Sequence, residues 1–142
     1  MRIKTIVMSM LLACGALSAS GCAKESIPVQ SMPAGANFEG RWLTDEFGTL
    51  DIVVKPDGSA TGVYDYKTGG TMTGKVDGGV LIFEWKQEGN STNARSTLQG
   101  HGYMVISDDG LHIKGKWGYY GSYFDGNGGK EWNGEKQTEI YD

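Results

Sequence analysis

Closely spaced turn signals constrain the fold of this chain more than any other feature, because from residue 38 onward they leave only short segments between them. They are Pro56-Asp57-Gly58, Thr68-Gly69-Gly70, Asp77-Gly78-Gly79, Glu88-Gly89-Asn90, Asp109-Gly110 and Asn127-Gly128-Gly129. Asp-Gly and Asn-Gly pairs suit hairpin turns, since glycine adopts positive φ without strain. The segments between them alternate with period two and show no 3.6-residue period. We predict antiparallel strands over residues 38–44, 48–55, 59–66, 71–76, 79–87, 95–106, 110–117 and 130–137.

A single register sends nearly all charged side chains of these strands to one face. The expected inward positions are Phe38, Gly40, Trp42, Thr44, Leu50, Ile52, Val54, Ala60, Gly62, Tyr64, Tyr66, Met72, Gly74, Val76, Leu81, Phe83, Trp85, Leu98, Gly100, Gly102, Met104, Ile106, Leu111, Ile113, Gly115, Trp117, Trp132 and Gly134. The expected outward positions are Arg41, Asp51, Lys55, Asp65, Lys75, Glu84, Lys86, Arg95, His101, His112, Lys114 and Lys116. This pattern predicts an all-β fold with one dry and one solvated face.

Glycine precedes an aromatic residue by two positions in three of the predicted strands. The pairs are Gly40-Arg41-Trp42, Gly62-Val63-Tyr64 and Gly115-Lys116-Trp117. Residues two apart share a face, so each ring can fill space that glycine leaves on its own and neighbouring strands. We therefore expect an up-and-down meander barrel of about eight strands, with room inside for side chains or one small ligand.

The first predicted hairpin resembles the opening strands of avidin-like and lipocalin-like barrels. The resemblance rests on Gly40-Arg41-Trp42, Phe47-Gly48-Thr49 and Gly62-Val63-Tyr64, and residues 96–101 are similar to the closing strand of avidins. It implies the barrel architecture alone. Gly102 stands where the avidin strand places an aspartate, and Tyr66 replaces a small hydroxyl residue, so no biotin chemistry is expected.

The N-terminal segment has the pattern of a secretory signal peptide. Arg2 and Lys4 precede an apolar run from residue 5 to 17, which is long enough for a signal peptide but too short for a spanning helix. The run ends in Leu17-Ser18-Ala19-Ser20-Gly21-Cys22, which resembles the lipobox of bacterial lipoproteins. The resemblance implies removal of residues 1–21 and lipidation of Cys22 with diacylglyceryl and palmitate-type acyl chains. An ordinary signal cut near Ala19 or Ala23 is the alternative.

The lipoprotein interpretation divides the chain into a signal at 1–21, a lipidated cysteine and flexible tether at 22–37, and a barrel domain at 38–142. Pro28, Pro33 and Gly35 lie in the tether without any amphipathic period. By the sorting rule for such lipoproteins, Ala23 after the cysteine implies the outer membrane of a diderm bacterium, with the domain in the periplasm or at the surface.

Charge argues against nucleic-acid partners. Loss of Arg2 and Lys4 from the 13 basic residues leaves 11 against 17 acidic residues, a net charge of −6. An acidic domain has no attraction for nucleic acid and little for anionic lipid headgroups. We expect membrane contact through the lipid alone. Cys22 would be the only cysteine left, so no intrachain disulfide is expected.

Catalytic and metal-binding patterns are weak. The two histidines, His101 and His112, lack a third ligand at a suitable spacing, and residues 125–129 lack the alternating oxygen ligands of a calcium loop. The predicted inward faces carry no Asp, Glu, His or Lys, and no nucleophile elbow or phosphate loop is present. We expect no enzyme activity, cofactor or metal, although a hydrolase that uses loop residues stays open as an alternative.

Binding is the favoured function, and two residue sets could carry it. Trp42, Tyr64, Trp85, Trp117 and Trp132 could line a cavity for a small apolar ligand. Tyr119, Tyr120, Tyr123 and Phe124 form an aromatic lip that suits an envelope protein or glycan, since tyrosine gives large contact area at low entropic cost. The alternative is a solid barrel that serves as an inhibitor or structural envelope protein.

Overall fold

The computed structural model describes residues 27–87, 98–120 and 129–138, and this part of the chain is all β. Its strands are β1 Gly40–Thr44, β2 Gly48–Val54, β3 Ser59–Tyr64, β4 Gly70–Asp77, β5 Val80–Gln87, β6 Leu98–Ile106, β7 His112–Tyr119 and β8 Lys130–Lys136. All eight predicted strands are present, and where their bounds can be compared they differ by two residues at most. Residues 95–97, predicted as the start of the sixth strand with Arg95 outward, lie outside the described residues. Nowhere in the described residues is there a helix of the length and apolarity needed to cross a membrane.

The strands form one closed, antiparallel, up-and-down barrel in chain order. Each strand pairs with the next, and β8 returns to β1 through the register pairs Trp42 with Lys136 and Thr44 with Gly134. Closure removes the free edges that an open sheet of this size would expose. The predicted fold class is therefore confirmed.

Asp-Gly turns shape one end of the barrel, as the sequence predicts. Asp57 accepts hydrogen bonds from the Ser59 amide at 2.9 Å and its hydroxyl at 2.7 Å, and Gly58 follows with φ 90°. Asp109 likewise accepts from Ser107 Oγ at 2.6 Å and from the Leu111 amide at 2.9 Å. The serine hydroxyls are the main reason that the pKa of each aspartate lies below its ordinary value.

The inward register is correct for most positions. The core consists of Phe38, Trp42, Leu50, Ile52, Ala60, Tyr64, Met72, Leu81, Phe83, Trp85, Met104, Ile106, Ile113, Trp117 and Trp132. Four positions differ from expectation. Leu98 and Leu111 are 47% and 39% exposed because they lie at the two ends of the barrel, where an inward-facing side chain is no longer surrounded by other strands. Val80 and Tyr103 belong to the outward face, yet they are only 2% and 8% exposed.

Glycines make room for large side chains across strand pairs. A Cβ added to Gly62 would lie 2.6 Å from Met72 Cγ, and one added to Gly102 would lie 2.7 Å from Phe83 Cζ. In both cases the two residues are register partners on adjacent strands. The space is therefore shared mainly between neighbouring strands rather than along one strand.

Residues 30–38, which we call the N-terminal strap, lie across the end of the barrel that carries the Asp-Gly turns. The Gln30 carbonyl accepts from the Gly79 amide at 2.7 Å, and Gln30 Nε2 donates to the Ile106 carbonyl at 2.8 Å. Phe38 is fully buried, and Met32 and Ala36 pack against the core. The tether expected over residues 22–37 is thus bound to the barrel from residue 30, and we call this the closed end.

Candidate functional site

A cleft of about 370 Å³ opens at the other end of the barrel, which we call the mouth. It lies where β3, β5 and β7 end and where β6 and β8 begin. Its lining consists of Glu46, Phe47, Tyr64, Tyr66, Lys67, Trp85, Gln87, Leu98, Trp117, Tyr119, Lys130 and Trp132. The barrel is therefore packed with side chains toward the closed end and recessed at the mouth.

Phe47 is the centre of the aromatic wall of this cleft. Its ring centroid lies 4.9 Å from that of Trp132, 5.0 Å from that of Tyr66 and 5.3 Å from that of Trp117. All three pairs meet edge to face, with interplanar angles of 76° to 82°. This is a favourable arrangement for aromatic rings, and it holds the wall in one geometry.

Two indole N–H groups in the wall have no hydrogen-bond partner among the described residues. Trp117 and Trp132 are 9% and 2% exposed, and the Nε1 atom of each is buried without an acceptor in that part of the chain. The other two tryptophans differ, since Trp85 Nε1 donates to the Gly118 carbonyl at 3.2 Å and Trp42 Nε1 to the Phe38 carbonyl at 2.8 Å. A buried donor without a partner is costly, so the unpaired pair is a notable property of the cleft.

Charged groups lie among the rings at the mouth. Lys67 Nζ is 5.1 Å from the ring centroid of Tyr66, and Lys130 Nζ is 5.6 Å from that of Trp117. These are cation–π distances. Glu46 is the only carboxylate among the described residues that line the cleft. The lining thus carries two positive groups and one negative group.

The structure brings together four of the five residues expected to bind a small ligand. Tyr64, Trp85, Trp117 and Trp132 line the cleft. Trp42 does not, because its indole is fully buried and hydrogen-bonded to Phe38, which belongs to the strap at the closed end. Alternation predicts the face of the sheet that a residue occupies but not its position along the barrel axis. Trp42 therefore faces inward like the other four residues but lies below the cleft, toward the closed end.

Sequence reasoning missed several lining residues. Phe47 and Glu46 lie in the turn after β1, and Lys67 lies in the segment after β3. Tyr66, predicted as an inward strand position but not as a site residue, also lies after the end of β3. The available signal was topological, since turns after odd-numbered strands of an up-and-down barrel must all meet at one end. Aromatic and basic residues in those turns therefore belong to the same mouth as Trp117 and Tyr119.

The structure divides the predicted aromatic lip. Tyr119 lines the cleft, with ring centroids 5.6 Å from Trp85 and 5.7 Å from Trp117. Tyr120 lies outside it and packs edge to face on His101 at 5.0 Å. Partial burial lowers the pKa of His101. Tyr123 and Phe124, the other two members of the lip, lie outside the described residues.

A larger depression of about 670 Å³ runs along the outside of β6, β7 and β8. Its lining mixes Tyr103 and Val105 with Lys114, Lys116 and Glu131. It is an open groove on the solvated face, without the convergent rings of the mouth cleft. The described residues also contain no group of three or more His, Cys, Asp or Glu side chains placed to hold a metal ion.

No family model, no curated protein and no solved structure matches this chain.

Proposed function

We propose that this protein is a lipid-anchored binding protein that holds one small, flat, apolar molecule in the mouth cleft. The observation that carries the proposal is the ring wall around Phe47, Trp117 and Trp132, which encloses about 370 Å³ at one end of an otherwise packed barrel. Small-molecule sites are typically concave, mostly apolar and of about 300–1,000 Å³. The cleft lies near the lower limit of that range, so its ligand is a compact ring system.

The arrangement favours binding over catalysis. Acid–base or nucleophilic catalysis needs a base held within hydrogen-bond reach of a nucleophile or second carboxylate. The ionisable groups other than tyrosine in the described lining are Glu46, Lys67 and Lys130, and both lysines lie over ring faces. Edge-to-face rings supply contact area and shape, which serve affinity. The proposal includes no cofactor.

The proposed anchor is the lipidated Cys22, with the outer membrane as the site of attachment. The strap meets the barrel at Gln30, eight residues after Cys22, and its contacts are all at the closed end. Eight extended residues span at most about 29 Å. On this proposal the closed end is nearer the bilayer and the mouth opens away from it, toward ligands in the aqueous phase.

Two adjacent tyrosines provide a matched test of ligand binding. Tyr119 lines the cleft and Tyr120 does not, although they are 43% and 48% exposed. The probe is naphthalene-2-carboxamide, a flat neutral molecule, titrated into the purified full chain by calorimetry. We expect Tyr119→Ala to weaken binding about tenfold, the loss of roughly one aromatic contact, and Tyr120→Ala to leave it unchanged. Absence of saturable binding, or equal weakening by both substitutions, would contradict the proposal.

The anchor is tested separately by the mass of the mature protein. In a diderm host, the chain should begin at residue 22 and carry the added mass of a diacylglyceryl group and an acyl chain. Cys22→Ala should abolish that addition and release the protein from the membrane fraction. A mature chain that begins elsewhere and carries no lipid would refute the anchor while leaving the cleft untouched.

A further inference from the structure

We infer that the ligand of the mouth cleft carries an anionic oxygen group beside its apolar ring system, as a small aromatic carboxylate does. This inference rests on the proposed function and adds the chemical class of the ligand. Three features of the cleft support it: the unpaired indole donors, the lysines at the rim and the rings that those lysines cover.

The indole donors define one requirement. An indole N–H donates and cannot accept, so only a hydrogen-bond acceptor can satisfy the Nε1 atoms of Trp117 and Trp132. Both side chains line the cleft and are at least nine-tenths buried. A ligand oxygen within hydrogen-bond reach of either Nε1 atom would remove the penalty of that unmatched donor. A hydrocarbon without an acceptor would leave that penalty in place.

The two lysines indicate the sign of the charge that the ligand carries. Lys67 and Lys130 line the cleft together with the single carboxylate of Glu46, so the described lining has an excess of one positive charge. The whole chain has a formal net charge of −4. The described lining therefore differs in sign from the chain as a whole, and a charged cleft with low-dielectric walls concentrates ligands of opposite charge.

A cationic ligand is the competing class, because aromatic cages bind ammonium groups. Here a lysine Nζ already lies 5.1 Å from the ring of Tyr66, and a second lies 5.6 Å from that of Trp117. A ligand cation over either ring would meet a positive charge of the protein. The same lysines can pair with a carboxylate, in a charge-assisted hydrogen bond that is stronger than a neutral one.

The test uses three probes with the same ring system and different charge. They are naphthalene-2-carboxylate, naphthalene-2-carboxamide and 2-naphthylmethylammonium, each titrated into the purified full chain by calorimetry. We expect the carboxylate to bind about tenfold more tightly than the amide, as charge-assisted hydrogen bonds have about twice the strength of neutral ones. The ammonium probe should bind most weakly. Raised salt should weaken the carboxylate alone.

Variants separate the contribution of charge from that of the donors. Lys67→Gln and Lys130→Gln should each weaken the carboxylate about threefold to tenfold and weaken the amide less, so that the preference for the carboxylate over the amide falls. Lys86→Gln is the matched control, because Lys86 is an exposed neighbour of Trp85 at the same end and does not line the cleft. Trp132→Phe keeps a ring and removes a donor, so it should weaken both the carboxylate and the amide, since both offer oxygen acceptors.

The two proposals fail in different ways. Equal affinity for all three probes, or a preference for the ammonium probe, would overturn the anionic ligand class while leaving the binding cleft intact. Absence of binding by every probe would overturn the proposed function and this inference with it. The inference would also be overturned if Lys86→Gln weakened carboxylate binding as much as Lys130→Gln does. The carboxylate would then be attracted by charges outside the cleft.

Discussion

Gly70 lies directly beneath the ring of Tyr64, and a Cβ on Gly70 would overlap that ring. The two residues are register partners at the mouth ends of β4 and β3. The missing side chain lets the Tyr64 ring lie back in the cleft wall, where its centroid is 5.2 Å from that of Trp132. A residue without a side chain thus helps to shape the site.

Substitution of Gly70 should damage both stability and binding. Gly70→Ala forces the Tyr64 ring away from β4, and overpacking of this kind costs about 1–3 kcal/mol. The displaced ring enters the cleft, so affinity for a naphthalene probe should also fall. Thr71→Ala, at the adjacent exposed position, is the control. Chemical denaturation and calorimetry measure the two effects. A fully stable Gly70→Ala variant with unchanged affinity would contradict the packing described here.

The strap should stabilise the closed end without affecting the mouth. Gln30→Ala removes the hydrogen bond from Nε2 to the Ile106 carbonyl, and we expect a loss of about 0.5–1.5 kcal/mol in the free energy of unfolding. Val29→Ala is the control, since the Val29 side chain is fully exposed. Ligand affinity should be the same in both variants. If Gln30→Ala is as stable as Val29→Ala, the strap is not held by this contact.

Two aspartates at the closed end should make stability fall in acid. The pKa values of Asp57 and Asp109 are lowered in the folded protein, chiefly by the hydroxyls of Ser59 and Ser107. A lowered carboxyl pKa contributes stability that is present above the unfolded value and is lost as pH falls through the folded value. We therefore expect the melting temperature to fall progressively below about pH 4.

Substitutions test whether Asp57 and Asp109 cause the loss of stability in acid. Asp57→Ala with Asp109→Ala should lower the melting temperature at pH 7 and make its dependence on pH below about 4 shallower. Asp51, whose pKa is lowered chiefly by its hydrogen bond with Arg41, should keep the remaining part of the response. Asp108→Ala, at the exposed position beside Asp109, should retain the steep response. Melting curves by circular dichroism from pH 7 to pH 2 measure this. A steep response that survives loss of both aspartates would show that other groups govern it.

The fold was predictable because its local signals agree. Asp-Gly turns, period-two alternation and pairs of glycine and aromatic residues each predict the same antiparallel meander. The predicted register places Trp42 and Leu50 in the core, as the structure does. It places Arg41 and Asp51 on the outward face. Arg41 and Asp51 then form an exposed ion pair, with Arg41 Nε 2.7 Å from Asp51 Oδ1. Hydrophobic pattern and turn geometry together fix such a register.

The site was less predictable, because alternation carries no information on height in the barrel. Trp42 and Trp117 follow the same glycine pattern, yet one packs toward the strap and the other lines the cleft. The strap itself has no periodic pattern. Its hydrogen bonds come from backbone groups and the Gln30 side chain, and Met32, Ala36 and Phe38 pack against the core without a regular spacing. Such contacts depend on where the barrel ends, which alternation does not predict.

The four tryptophans report directly on occupation of the mouth cleft, because each gives one indole N–H signal in a ¹⁵N correlation spectrum. Trp85, Trp117 and Trp132 line the cleft, and Trp42 is bonded to the strap as an internal reference. On titration with naphthalene-2-carboxamide, we expect saturable shifts of the three cleft signals and a stationary Trp42 signal. Shifts of all four signals alike, or of none, would contradict a binding cleft at the mouth.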